Sequence, residues 1–275
     1  MTDVLQEPAD AAAAAAGVTI RSLDTLPELD AACALFERIW QTGEFGPPVP
    51  ADLLRAMSKA GSYVHGAFAD DTMVGACVGF FGAPGRGSLH SHITGVLPQR
   101  RGVGYALKLH QRAWTLAHGA HEISWTFDPL IRRNAYFNLG KLAADAAEYL
   151  PNFYGRIDDA INAADDTDRL LARWHLRADR VVAACNGQPR VPGRTAEVAL
   201  GITAAGRPQP GNGGGRLVRV AVPPDIEKLR TTDPAAAADW RAAVREVLGG
   251  LLADRARIRG FDRTGWYIVE REAAL

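Results

Sequence analysis

The sequence is short of the features that mark several protein classes. Its three cysteines, Cys33, Cys77 and Cys185, are far apart and form no CxxC pair, so we expect free thiols in a reducing compartment. No apolar run approaches the length of a membrane span. The first residues lack the basic and apolar regions of a signal peptide. Together these absences predict a cytoplasmic protein that makes no membrane contact.

The sequence also lacks an excess of charge of either sign. The chain has 31 basic and 31 acidic residues, and its formal net charge is zero. A protein that binds nucleic acid normally carries a basic excess or a basic stripe, so we predict no nucleic-acid partner. The histidines show no metal-ligand spacing, and we predict no catalytic metal. The glycine-rich run 211–215 lacks the lysine and the following helix of a P-loop, which predicts a mobile loop.

What the sequence does have is one organised stretch, residues 88–106. It reads as a strand, a turn with two glycines and the start of a helix. A helix that opens on such a turn directs several backbone N–H groups and the positive end of its dipole at one point, which suits a pyrophosphate. On the strand, His90 and His92 are two residues apart and therefore face the same side.

The elements around this stretch predict an α/β protein. Residues 1–16 are expected to form a flexible tail. A first strand, two helices and a hairpin precede residue 88, and a strand at 122–127 follows the helix. Strand, helix and strand form a βαβ unit, which predicts that the two strands are parallel. An acidic stretch at 158–168 is expected to be a loop. Past residue 178 the pattern is weaker, with strands and a long helix from Asp233 to about Arg257.

This order, together with the motif Val96-x-Pro98-x-x-Arg101-Gly102-x-Gly104, resembles the GNAT superfamily of acyl-CoA-dependent N-acyltransferases. The resemblance covers about residues 18–176. It implies a mixed, centrally splayed sheet flanked by helices over a core at 17–176. The remaining residues, 177–275, would form a C-terminal α/β extension that packs on the core. That extension either covers the acceptor pocket or forms a contact in a homodimer.

The resemblance also implies the co-substrate, acetyl-CoA or another acyl-CoA. Backbone N–H groups from Arg101 to Gly104 would hold its pyrophosphate, and the backbone of Val96 would pair with the pantetheine arm. The residues that the resemblance places at the cofactor are Val96, Leu97, Gln99, Arg100, Arg101, Gly102, Val103, Gly104, Tyr105, Asn134 and Asn138.

Acylation of an amine needs a base for the ammonium proton, a donor for the oxyanion and, in some enzymes, an acid for the leaving thiolate. His90 and His92 lie six and four residues before Val96, a spacing similar to that of the histidine pair in serotonin N-acetyltransferases. We expect His92 to be the base or the last relay to it. The alternative is that the histidines are core residues or hold a strand bulge.

The sequence departs from the family at the acid. Asn134 fits the family's asparagine, but the tyrosine six residues beyond it in many members is Gly140 here. Asp128, at the end of the second parallel strand, either binds or deprotonates the amine or caps the next helix. The expected activity is direct transfer of an acetyl or other short acyl group, possibly succinyl, to a small amine or amino acid. A non-catalytic acyl-CoA-binding module is the alternative.

Overall fold

The chain forms two compact units. In a computed structural model that describes residues 2–155, 165–189, 193 and 195–272, the first unit comprises Met1–Trp125 and His175–Arg177, and the second comprises Thr126–Trp174 and Ala178–Leu275. This division differs from the boundary expected at 176/177, because the second unit already begins at Thr126. Most of the acidic stretch 158–168, expected to be a loop, lies outside the described residues.

The first unit alternates helices with strands of one sheet. Its elements are α1 (Thr2–Ala15), β1 (Thr19–Ser22), α2 (Leu26–Trp40), α3 (Ala51–Lys59), β2 (Tyr63–Ala69), β3 (Thr72–Phe81), β4 (Ser88–Val96), α4 (Val103–Ala117) and β5 (Glu122–Phe127), whose last two residues belong to the second unit. A short 3₁₀ turn, Gly43–Phe45, lies between α2 and α3.

The strands of this unit pair in the order β1-β2-β3-β4-β5. β1 to β4 are antiparallel neighbours, whereas β4 and β5 are parallel. The sheet is therefore mixed, and the parallel pair confirms the predicted βαβ unit. One face carries α2 and α3, where the fully buried Leu29, Phe36 and Leu54 form a core with strand residues such as Val78.

The N-terminal segment is helical rather than a flexible tail. α1 packs against α4, and Ala9 within it is 2% exposed. The alanine run at 11–16 has high helix propensity and small side chains, which allow the two helices to approach closely. The expectation for residues 1–16 is corrected here, because helix packing buries a face that the composition alone left unassigned.

The second unit contains a strand pair and a separate sheet. Its elements are α5 (Arg132–Ala135), which continues as a π-helical turn Tyr136–Lys141, β6 (Asp145–Leu150), β7 (Arg169–His175, the last residue in the first unit), α6 (Asp179–Cys185), β8 (Glu197–Ile202), β9 (Pro208–Pro210), β10 (Leu217–Ala221), α7 (Ile226–Thr232), α8 (Pro234–Val244), a π-helical turn Arg245–Gly249, α9 (Gly250–Ala253), β11 (Arg257–Phe261) and β12 (Trp266–Glu270).

β6 and β7 are antiparallel. The separate sheet has the order β11-β12-β10-β8-β9, in which only β10 and β8 are parallel among the recorded pairs of described strands. The long helix expected from Asp233 begins there as α8, where the Asp233 carboxylate accepts the N–H of Ala236. A π-helical turn then interrupts it.

The glycine-rich run 211–215 is not a free loop. The N–H groups of Gly211 and Gly213 donate to the carbonyls of Ala199 and Val198 on β8, at 3.0 and 3.1 Å. A Cβ at Gly213 would lie 2.7 Å from the Ala199 side chain, so only glycine permits this approach. The expectation of a mobile segment is therefore corrected, because the glycines let the backbone pair closely with a strand.

Candidate functional site

The two histidines of β4 lie on one face of the sheet, as the strand period predicts. Their ring centroids are 6.4 Å apart, and the ring of Phe80 on β3 lies 5.2 Å from His90 and 6.0 Å from His92. His92 is the extra residue of a β-bulge, because Gly79 pairs with Ser91 and Val78 pairs with Ile93. Its side chain is exposed. His92 is thus both the bulged residue of β4 and accessible to solvent.

Both rings are neutral at physiological pH. Burial, together with the nearby His92 and Lys108, lowers the pKa of His90 to about 4. Partial desolvation also lowers the pKa of His92. His90 Nδ1 is 3.3 Å from the Ser124 hydroxyl on β5, which fixes the orientation of the His90 ring. A neutral imidazole has a nitrogen that can accept a proton, so the pair has the protonation state that a base or relay requires.

The pairing of the parallel strands β4 and β5 ends beside these histidines. The register of β4 and β5 runs over three pairs, from Ser88 opposite Glu122 to His90 opposite Ser124. β4 itself continues to Val96. The sheet therefore splays on this side of β4, as the family resemblance implies. Since the N–H of Leu97 donates to Val74 on β3 at 2.9 Å, the alternation of a strand turns the N–H and C=O of Val96 away from β3.

The turn after β4 has two residues in the left-handed region. Gln99 has φ of 68° and Gly102 has φ of 87°. The N–H of Arg100 donates to Leu97 O at 3.3 Å, and that of Arg101 donates to Gln99 O at 3.1 Å. The amide of Arg101 is thus used inside the turn, which corrects the expectation that it belongs to the anion-binding set. A non-glycine residue at the Gln99 position is strained, which is a common feature of binding loops.

α4 begins directly after this turn. The N–H groups of Val103 and Gly104 are in its first turn, where a helix offers no internal acceptors. No acidic residue in that turn offsets the positive end of the dipole. Arg100 and Arg101 are exposed, and neither forms an ion pair within the described part of the chain. Tyr105, also predicted at the cofactor, is half-buried in the same turn. The residues present fit a pyrophosphate.

Asp128 is held in a network of buried charges in the second unit. It is 5% exposed, and its carboxylate accepts from Arg230 Nη2 at 2.5 Å and from Arg241 at 3.0 and 3.1 Å. Burial alone would raise the pKa of Asp128, but the charges and hydrogen bonds of Arg241 and Arg230 lower it to about 2. Asp128 Oδ1 also accepts the N–H of Leu130, while α5 begins only after Ile131. A carboxylate this acidic is unsuited to be a base near neutral pH, which corrects that reading of Asp128, and it does not cap α5.

Asn134 and Asn138, predicted at the cofactor, also belong to the second unit. Asn134 is half-buried in α5, and Asn138 is 5% exposed in the π-helical turn. At the position of the absent tyrosine, a Cβ on Gly140 would lie 2.9 Å from the Tyr136 ring. The Tyr136 hydroxyl accepts from Arg263 Nε at 2.9 Å. A tyrosine ring therefore covers Gly140, although it comes from four residues earlier.

The sequence reading missed Lys108. This residue of α4 is 5% exposed, and its ammonium donates to Ser91 Oγ at 2.8 Å and to Gln111 Oε1 at 3.3 Å. The ammonium also lies 4.1 Å from the centroid of the Trp125 ring. The sequence holds no clear signal for it, because at 100° per residue Lys108 falls with Gln111 and Thr115 on the polar side of α4, opposite Ala106, Leu109 and Ala113.

No group of three or more histidine, cysteine or acidic side chains is placed to hold a metal ion in the described ranges. Among the same residues, no helix is both long and apolar enough to cross a bilayer.

The chain matches no protein-family model and no curated protein. It is similar to solved structures of acetyltransferases. One is an acetyltransferase assigned to the GNAT family from Desulfovibrio desulfuricans, with 20% identity, 58% of this chain and 99% of that chain covered, and a TM-score of 0.43. Another is the ribosomal-protein-S18-alanine N-acetyltransferase of Escherichia coli, with 17% identity, coverage of 58% and 95%, and a TM-score of 0.46. A third, from Salmonella typhimurium and solved with its cofactor acetyl-CoA, has 15% identity, coverage of 58% and 94%, and a TM-score of 0.48.

Proposed function

We propose that the chain is an acyl-CoA-dependent N-acyltransferase that moves an acetyl or other short acyl group to the amine of a small molecule or amino acid. One observation carries the proposal. A single run of chain joins two neutral histidines on β4, the splayed edge of β4 and the uncompensated N-terminus of α4. An anion site next to proton-accepting groups is what transfer from a phosphorylated thioester requires.

The donor would lie along the edge of β4. Its pyrophosphate would contact the N–H groups of Val103 and Gly104, with Arg100 and Arg101 supplying positive charge. Its amide-containing arm would extend along β4 and pair with the backbone of Val96, in the manner of an added strand. When bound, acyl-CoA supplies an activated thioester, and this chain supplies its orientation and the proton acceptor.

His92 would act on the acceptor. Its neutral imidazole takes one proton from the substrate ammonium, directly or through a water molecule, because the side chain is exposed. The amine nitrogen then attacks the thioester carbonyl, the C–N bond forms, and the C–S bond breaks. CoA leaves as the thiolate and takes up the second proton, which the attacking nitrogen loses, so the products are an amide and CoA. His90, whose Nδ1 lies within hydrogen-bonding distance of the Ser124 hydroxyl, would relay the proton away from His92.

Direct transfer is favoured over an acyl-enzyme. All three cysteines are buried in the structure. A thiol must reach the thioester to accept its acyl group, and the burial and neighbouring acidic residues of Cys33 raise its pKa, which lowers its reactivity. The transfer then needs the amine as its only nucleophile, and parallel initial-rate lines, the mark of a ping-pong route, are not expected.

The test is thiol release from acetyl-CoA and succinyl-CoA across a panel of amines and amino acids, with binding measured separately by thermal shift. We expect acyl-CoA to raise the melting temperature and at least one amine to accelerate thiol release. Tight acyl-CoA binding without turnover on any amine would instead support a binding module. Absence of both binding and turnover would reject the proposal.

Two sets of variants assign the roles. Replacing Arg100 and Arg101 together by glutamine should weaken acyl-CoA binding about tenfold and reduce its salt dependence. Arg86→Gln is the matched control, since Arg86 is an exposed turn residue just before β4. His92→Ala should lower kcat/KM about 10²-fold and remove the acidic limb of its pH profile. An unaltered rate and profile in His92→Ala would exclude His92 as the base.

A further inference from the structure

A buried lysine lies where β4 and β5 part. Lys108 is the only described residue whose ammonium is recorded in contact with side chains of both strands at this point, donating to Ser91 of β4 and lying over Trp125 of β5. These two residues are the next ones along after the last pair of the parallel register, His90 opposite Ser124. The lysine therefore marks the position at which the ladder stops.

This ammonium has been buried without an acidic partner. Within the described residues no carboxylate forms an ion pair with Lys108, and its contacts are a hydroxyl, an amide and an aromatic face. Burial of a charge in this way has a cost that a methionine or leucine would not have. Packing alone thus gives no reason for a lysine here, and a buried cation beside a candidate proton path is a functional candidate.

The surroundings hold the ammonium in one place. Gln111, which is fully buried, accepts from Lys108 and donates through its other end to Cys77 Sγ on β3 at 3.3 Å. Cys77 Sγ in turn lies 3.0 Å from the Thr94 hydroxyl of β4. A connected buried network of this kind fixes its members more firmly than single contacts do.

We propose that Lys108 is a positioning residue for the acyl transfer: its buried ammonium fixes the fork where β4 and β5 part and places a positive charge across the sheet from His90. The inference rests on the proposed function. Through Ser91, the lysine sets the course of β4 from the histidines to Val96, which is the edge that receives the thioester. Through its charge, it adds to the effects of burial and of His92 that keep His90 unprotonated and ready to accept.

Several elements of the described chain contribute groups around the two titrating side chains. His90 has His92 on its own strand, Phe80 on β3 and Ser124 on β5, while the charge of Lys108 on α4 acts from across the sheet. Lys108 faces Ser91, Trp125, Gln111 and Cys77. Burial lowers the pKa of Lys108 to about 8, an effect that Cys77 partly opposes. The ammonium is therefore the prevailing form at neutral pH, and its charge acts on His90.

Three variants separate charge from hydrogen bonding. Lys108→Met removes both, Lys108→Gln keeps a donor for Ser91 without the charge, and Ser91→Ala keeps the charge without the hydrogen bond. In NMR titrations of the His90 ring, we expect both Lys108 variants to titrate about 0.5 pH unit or more above the wild type. Ser91→Ala should titrate like the wild type. This measurement needs no turnover.

In kinetics with the best acceptor, Lys108→Met should lower kcat about tenfold while the KM for acyl-CoA changes less than about threefold. Ser91→Ala should show part of that loss. Wild-type kcat together with an unchanged His90 titration in both Lys108 variants would overturn the proposal. If the wild-type chain acylates no amine, the proposed function fails on its own account, and the NMR comparison still decides whether the lysine controls His90. Lys108→Gln carries the test if Lys108→Met does not fold.

Discussion

The two units bury charge in opposite ways. In the second unit, Asp128 is enclosed by Arg230 and Arg241, which also bind Asp165 at 2.9 and 2.8 Å. In the first unit, the contacts that Lys108 makes with described residues are all neutral: Ser91, Gln111 and the ring of Trp125. The first arrangement satisfies each charge with an opposite one. The second satisfies the donors of a cation but leaves its charge uncompensated.

The contrast has a consequence for the chemistry of each region. Despite the effect of burial, the arginines lower the pKa of Asp128 to about 2, far from any working pH. Burial without a counter-charge lowers the pKa of Lys108 to about 8, close to the working range. Paired charges are therefore fixed in one protonation state and serve structure, whereas an unpaired buried charge can influence or join proton transfer.

The largest expected effect comes from breaking the paired network. Asp128→Asn leaves the buried guanidinium groups of Arg230, Arg241 and Arg169 with one carboxylate fewer. We expect the free energy of unfolding to fall by about 3 kcal/mol, since removal of one partner of a buried ion pair leaves an uncompensated charge. Urea denaturation followed by circular dichroism measures it. Equal stability of wild type and variant would show that the network is not a structural element.

The control for that variant is an ion pair of the same unit at the surface. Arg207 contacts Asp239 at 2.7 Å and Asp233 at 3.1 Å, with its side chain 41% exposed. We expect Arg207→Gln to cost no more than about 1 kcal/mol, because solvent screens exposed pairs. A loss as large as that of Asp128→Asn would attribute the effect to arginine–carboxylate pairs in general and not to burial.

Lys108→Met tests the other half of the comparison. The folded-state pKa of Lys108 is lowered to about 8 from its ordinary value of 10.5. Between these values the unfolded chain binds the proton more strongly, so wild-type stability should rise with pH from about 8 to 10.5. Methionine carries no proton, so the variant lacks this slope. We therefore expect the melting temperature of Lys108→Met at pH 7 to equal or exceed that of the wild type. The difference between the two should be smaller at pH 10.

A melting temperature of Lys108→Met well below that of the wild type at pH 7, with the same pH slope in both proteins, would contradict this. It would mean that the hydrogen bonds to Ser91 and Gln111 outweigh the burial of the charge. Melting curves at pH 7, 8, 9 and 10 separate the two cases.

The same contrast explains what the sequence could predict. The parallel β4–α4–β5 unit, the turn 99–104 and the shared face of His90 and His92 follow from strand and helix periods, which act over a few residues, and the structure confirms them. The partners of Asp128 are 102 and 113 residues away in the chain. No local pattern carries that information, and a lone Asp after a strand reads equally well as a ligand or a cap.

The predictions for the N-terminal segment and the glycine run were wrong for a related reason. Local composition predicts a tail at 1–16 and a loop at 211–215, but α4 offers α1 a surface and β8 offers Gly211 and Gly213 carbonyl acceptors. Tertiary contacts decide such segments, because each is marginal by its own propensity. Neither the burial of Lys108, which falls on the polar side of α4, nor its contacts with two strands could be predicted from a local pattern.

The smallest expected effect concerns a second buried group of the first unit that also lacks a counter-charge. His65 is 8% exposed, stacks on Tyr63 with ring centroids 4.0 Å apart, and its Nδ1 is without a hydrogen-bond partner in the described structure. Burial lowers the pKa of His65 to about 3, helped by His110 and His118 and opposed by Asp24. Between pH 6.5 and about 3 the unfolded chain therefore binds a proton that the folded chain does not. The free energy of unfolding decreases as the pH is lowered through this window.

His65→Phe keeps the ring stack and removes both the titration and the unsatisfied nitrogen. We expect about 1 kcal/mol of added stability at pH 7 and a shallower loss between pH 6.5 and 4, measured by urea midpoints at each pH. His118→Phe is the control, since His118 is exposed and stacks on Trp114 at 3.8 Å. If His65→Phe and the wild type lose stability in parallel on acidification, the histidine is not the group that titrates. Buried groups of the first unit that lack a counter-charge would then affect function or stability only at Lys108 and His90. The contrast between the two units would in that case be limited to the fork of β4 and β5.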